Sequence, residues 1–167
     1  MKVQNDTLWL VFSPCIPYLQ PGEMDKIIEA APHAVIGAGG YYDLTIAQLA
    51  AIVNHNDTTC IVNKADEELT VYEYCTIKGL KEWFEKFVKQ IKTLTIPATD
   101  QEQRASRACL EVSFVESLLL FARQYFGLHS FREAEQVTLG DVILAKKDAY
   151  NKEAFQKAYS EIMYKKK

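Results

Sequence analysis

The sequence predicts a mainly α fold: one compact helical domain of four to five helices with an irregular N-terminal arm. Three observations carry this expectation. One six-residue pattern recurs at Leu44-Thr45-Ile46-Ala47-Gln48-Leu49, Leu69-Thr70-Val71-Tyr72-Glu73-Tyr74 and Val137-Thr138-Leu139-Gly140-Asp141-Val142. Long segments after these patterns place apolar residues at helical spacing. Pro14, Pro17 and Pro21 cluster near the N-terminus, where they exclude regular structure.

The recurring pattern is helix punctuation. A threonine before the first turn accepts a hydrogen bond from an orphan N–H. A Glu, Gln or Asp three residues on reaches back to the cap's own N–H. The apolar residue before the cap packs on the one at the fourth helical position. Thr45 pairs with Gln48, Thr70 with Glu73 and Thr138 with Asp141, and the staples are Leu44 with Leu49, Leu69 with Tyr74 and Val137 with Val142. Asp141 makes the last box the least regular, because its side chain is short. Thr99 with Glu102 and Ser130 with Glu133 are boxes without a full staple.

Taken in chain order, residues 1–40 form the arm and residues 41–167 the helical domain. Leu8-Trp9-Leu10-Val11-Phe12 reads as a short strand. Gly22 to Ala31 reads as a short helix with Met24, Ile27 and Ile28 on one face, ended by Pro32. Gly37-Ala38-Gly39-Gly40 reads as a loop. Helices follow over about 46–53 and 71–94, the second with Gly79 as a weak point. Its stripe is Leu80, Trp83, Phe84, Phe87, Val88 and Ile91. Another runs from about Asp100 to Phe126, closed by Gly127 in a left-handed cap with Leu128 behind it. Its second half is apolar almost all round, which places it at the centre of the core. A short turn over 131–136 leads to the last helix, about 139–164, and Lys165-Lys166-Lys167 suit its C-terminal dipole. The segment Thr59-Cys60-Ile61-Val62 is an ambiguous strand.

Composition narrows the function classes. The chain has 167 residues, 49% hydrophobic and 25% charged, which suits one domain with a real core. A net charge of -3 and a pI near 5.7 supply no basic field for nucleic acid or an anionic membrane. The apolar runs 8–12 and 112–126 are too short for a signal core or a bilayer span, so synthesis in the cytoplasm is expected. Cys15, Cys60, Cys75 and Cys109 show no metal or redox spacing and read as free thiols, with two disulfides as the alternative.

Chemical motifs are sparse. Gly37-Ala38-Gly39-Gly40 lacks the small residue a dinucleotide fingerprint needs where Tyr42 stands, and no phosphate-cradling GxxxxGK[ST] is present. His33, His55 and His129 have no second ligand at zinc spacing. Cys15, between prolines, is the least implausible reactive thiol, yet nothing electropositive surrounds it in sequence. The lysines of 78–92 alternate with Glu82 and Glu85, as on a solvated helix face. The residues name no catalytic group, no metal and no cofactor.

The segment Tyr125-Phe126-Gly127-Leu128-His129-Ser130-Phe131-Arg132-Glu133-Ala134-Glu135-Gln136-Val137-Thr138-Leu139, followed by a charged helix with Tyr150 and Tyr159, resembles tailed-bacteriophage morphogenesis proteins. It is most similar to small helical tail-assembly chaperone or connector-type proteins. In these, an FGL-x-SF-x-EAE-x-LTL segment leads into a long, tyrosine-bearing C-terminal helix. The match covers the last quarter of the chain and departs from the pattern at Gly140. The resemblance implies a non-enzymatic protein–protein interaction module of tail or neck assembly, either virion component or assembly chaperone. Its partners would be other phage proteins or itself, its place the host cytoplasm during assembly, with a possible role in the virion. It carries over no catalytic residues. The other reading is a small cytosolic enzyme or ligand-binding helical domain whose site assembles in space.

The residues expected to dock are Leu8, Trp9, Leu10, Val11 and Phe12. They are strongly apolar, β-prone and tethered by a proline-rich stretch, which suits pairing with another chain's sheet edge; the alternative is that Trp9 and Phe12 pack on the chain's own helices.

Overall fold

The computed structural model describes residues 22–63, 69–96 and 111–164. These form a mainly helical body of six helices: α1 (Glu23–Val35), α2 (Ile46–His55), α3 (Val71–Thr93), α4 (Phe114–Tyr125), α5 (Phe131–Glu135) and α6 (Leu139–Tyr164). A 3-10 turn spans Gly40–Asp43. The strand expected over 8–12, the Thr99–Glu102 box, Cys15 and Cys109 lie outside the described residues.

The helix starts are built as the recurring pattern dictates. The Thr45 hydroxyl oxygen accepts from the Gln48 N–H at 3.3 Å, and the Gln48 side-chain oxygen accepts from the Thr45 N–H at 2.9 Å. Thr70 and Glu73 repeat this at 3.3 and 2.7 Å. Thr138 accepts from the Asp141 N–H at 3.1 Å, but Asp141 bonds back to the Thr138 hydroxyl and not to its N–H. One methylene fewer than Glu explains the difference. Ser130 accepts from the Glu133 N–H, while Glu133 reaches back one residue further, to the His129 N–H. Thr70→Ala and Thr138→Ala should each cost about 1 kcal/mol. Chemical denaturation reads this directly, and unchanged midpoints for both would rule out capping as their role.

Two of these starts also hold each other. Thr45 and Thr138 form an isolated antiparallel bridge. The Ile46 N–H donates to the Val137 carbonyl at 3.0 Å, and the Leu139 N–H donates to the Leu44 carbonyl at 2.8 Å. Each donor is a first-turn N–H with no acceptor inside its own helix. The repeat is therefore a clasp that joins the starts of α2 and α6.

The main core gathers Ile46, Leu49 and Ile52 of α2, Leu80, Phe87 and Ile91 of α3, Val115 and Leu118 of α4, and Leu139, Val142 and Ile143 of α6. A smaller core of Ala31, Val62, Leu69, Tyr74 and Cys75 lies where α1 packs along α3. α3 runs unbroken through Gly79. The Tyr41 hydroxyl donates to the Thr76 carbonyl there, and a Cβ on Gly79 would sit 2.9 Å from that hydroxyl. The glycine makes room for a buried phenol.

Three boundaries differ from the sequence reading. Pro32 does not end α1, which continues to Val35. The proline removes one hydrogen-bond donor, yet Ala31 and Pro32 are buried there, and packing outweighs the loss. The helix expected to run unbroken into Phe126 instead starts at Phe114. Ser113 and Glu116 form a full capping box with bonds of 3.2 and 2.6 Å, and residues 111–113 are not helical. The segment 59–62 is a turn, closed by Ile61 and Val62 N–H donors to the Thr58 carbonyl.

At the other end of α4 the expected cap is present. Gly127 has φ 65°, the Leu128 N–H donates to the Arg123 carbonyl at 2.9 Å, and the Gly127 N–H donates to the Gln124 carbonyl at 3.4 Å. The helix reaches the main core through one face only. Val115, Leu118 and Ala122 face inward, while Leu120, Tyr125 and Phe126 are exposed.

Candidate interaction surface

α6 begins in the core and ends away from it. Leu139, Val142, Ile143 and Ala145 are buried, and from Asn151 to Tyr164 no residue is. At 1.5 Å per residue this free half is about 21 Å long. Its point of departure is anchored. The Lys146 ammonium sits 4.0 Å from the centre of the Phe121 ring, and burial pulls its pKa down. The Tyr125 hydroxyl donates to Asp148, which also pairs with Lys152 at 2.6 Å. The bonds from Lys152 and Tyr125 hold the Asp148 carboxyl below its ordinary range, and the bond to Asp148 raises the Tyr125 phenol.

The outward face of α6 exposes large apolar residues, interspersed with Asp148 and Asn151. Leu144 is 65% exposed, Phe155 70%, Tyr159 55% and Ile162 57%. At about 100° per residue, Leu144, Phe155 and Ile162 lie within about 20° of one another, with Tyr159 about 60° from Leu144 and Val142 roughly opposite. The Phe155 and Tyr159 rings stack at 6.1 Å. A free-standing helix gains nothing in water from such a stripe, so an apolar outward face of this length marks a contact surface. Sequence reasoning passed over it because Asp148, Asn151 and Ala158 interrupt the apolar pattern. The signal that could have found it is the 4-3-4-3-4 spacing of Leu144, Asp148, Asn151, Phe155, Ala158 and Ile162.

A second feature lies at the α1–α3 junction. A hollow of about 300 Å³ is lined by Glu29, His33, Tyr42, Glu82, Trp83 and Lys86, among others. His33 Nδ1 lies 2.8 Å from the Ala38 carbonyl, its natural acceptor, which leaves Nε2 as the ring nitrogen able to meet a ligand. Trp83 is packed by Tyr41 at 5.0 Å and by Phe87 at 5.1 Å, so its ring serves the core first.

The predicted docking residues Leu8, Trp9, Leu10, Val11 and Phe12 lie outside the described residues. The capping residues Thr45 and Thr138 come together, while Thr70 and Ser130 each start a separate helix. Cys60 and Cys75 are free thiols, and burial raises the pKa of both, which disfavours the thiolate. Among the described residues no group of three or more His, Cys, Asp or Glu could hold a metal ion, and no helix is long and apolar enough to cross a membrane.

No protein-family model, curated protein or solved structure matches the chain.

Proposed function

We propose that the chain is a non-enzymatic protein–protein interaction module that helps build a phage particle, in the tail or neck, as virion component or assembly chaperone. The observation that carries the interaction role is the exposed apolar face of α6, on a helix that extends past the core that supports it. The phage setting is supported by the 125–139 segment, which structurally is the capped end of α4, the short α5 and the clasped start of α6. A rigid base with a projecting, partly apolar helix suits a module that docks in a helix-to-helix or helix-in-groove manner.

The test joins genomic neighbourhood to co-purification. Genes for portal, capsid or tail-tube proteins should flank this one, and one of their products should co-elute with the protein. A Phe155→Glu, Tyr159→Glu double variant should keep its circular dichroism spectrum and lose that co-elution. Unchanged co-elution, or a neighbourhood of metabolic genes, would refute the proposal. The convergence of Glu29, His33, Glu82 and Lys86 in one hollow favours a second reading, a small-ligand site or enzyme. Saturable binding of a small metabolite, lost in His33→Ala, would support it.

A further inference from the structure

We propose that the outward face of α6 pairs with the same face of a second copy of this chain, antiparallel. The proposal rests on the reading of this face as a docking surface and names its occupant. The spacing of Leu144, Asp148, Asn151, Phe155, Ala158 and Ile162 alternates 4-3-4-3-4, the spacing of a helix seam that packs on another helix. In an antiparallel pair centred between Asn151 and Phe155, Leu144 meets Ile162 of the second copy. Asn151 then meets Phe155 of the second copy, and Asp148 meets its Ala158. Symmetry repeats each layer, so both large apolar ends are covered. Asp148 enters the seam already paired with Lys152 and Tyr125.

Charge decides the direction. Lys147, Ala154 and Glu161 stand seven residues apart along one flank of the seam. In the antiparallel pair this flank meets itself, and Lys147 faces Glu161 of the second copy twice, about a central Ala154. Neither residue has an ion-pair partner among the described residues. In a parallel pair Lys147 would instead face Lys152 of the second copy, a like-charge contact made twice. On the opposite flank Lys152, held by Asp148, meets its own copy once, so the antiparallel pair sets two opposite-charge contacts against one like-charge contact. Leu144, Phe155 and Ile162 of the seam are exposed, while Asp148 lies beside Tyr125 of α4.

Sedimentation equilibrium of the purified protein alone, over a concentration series, tests this. The expected result is a reversible monomer–dimer equilibrium. Phe155→Glu should leave the helical spectrum unchanged and the protein monomeric. Lys147→Glu and Glu161→Lys should each weaken the dimer by roughly tenfold, because two flank pairs turn repulsive. The Lys147→Glu, Glu161→Lys double variant should return to within about threefold of the parent, since the pairs are restored with signs exchanged. A protein monomeric at every concentration overturns the inference, as does a dimer untouched by Phe155→Glu. A double variant no better than the single ones overturns the antiparallel register. Because only this chain is present, the outcome is separate from the co-elution experiment. A monomer whose Phe155→Glu, Tyr159→Glu variant still loses phage partners would leave the assembly role standing and remove the self-pairing.

Discussion

Replacing Phe87 with alanine should destabilise the protein by about 3–5 kcal/mol. The ring is 1% exposed and lies where α3 meets the rest of the core. It stacks on Trp83 at 5.1 Å and meets Phe114 edge-on at 6.1 Å. Alanine removes the transfer energy of a whole ring and leaves a void walled by other rings. Those rings are held by two different helices, α3 and α4, so the site cannot collapse easily and the cost belongs at the upper end for a core deletion. Urea denaturation of parent and variant gives the number. A loss below about 1 kcal/mol, the scale of an ordinary surface or partly exposed position, would mean that the ring is not enclosed as described.

Leu118→Ala should cost about 2–5 kcal/mol, and more than Phe121→Ala despite the larger ring removed. Leu118 is fully enclosed on the inward face of α4 with Val115 and Ala122. Phe121 is half-buried and lies beneath the Lys146 ammonium and against the exposed Tyr125 ring. A long lysine can move into the space that the ring vacates, and water can reach the rest. Measuring both variants by the same denaturation series checks the order. The reverse order would mean that the inward face of α4 has been placed on the wrong side of the helix.

What was legible in the sequence follows from which interactions are local. Capping boxes are contained within four residues, so Thr45, Thr70 and Thr138 announced their helices, and Gly127 with Leu128 announced the end of α4, whereas the segment after Ser130 reads as a short turn and is the helix α5. Boundaries that depend on tertiary packing were hidden. Pro32 reads as a stop, but burial of Ala31 and Pro32 keeps α1 going past it. The Ser113–Glu116 box was masked by its neighbours, because Val112 and Phe114 continue the apolar run and suggest one unbroken helix. The apolar runs of α4 and α6 raised opposite errors. α4 reads as the centre of the core, yet Leu120 and Phe126 face out; α6 reads as a charged helix, yet Leu144, Phe155 and Ile162 are exposed on one side of it. In both cases the deciding fact is where the rest of the chain lies, which periodicity alone does not encode. The docking surface was expected at residues 8–12, and the described residues supply a different candidate at the opposite end of the chain.

The clasp between Leu44-Thr45-Ile46 and Val137-Thr138-Leu139 has a consequence for how the molecule opens. The acceptor for the Ile46 amide is carried by the later segment, and the acceptor for the Leu139 amide by the earlier one. Separating the two helix starts breaks both bonds together. A fluctuation that separates them exposes both amides to solvent, so the two belong to a single opening unit although more than ninety positions of chain separate them. Protection of these two amides against hydrogen exchange is therefore expected to be similar, because one junction carries both bonds.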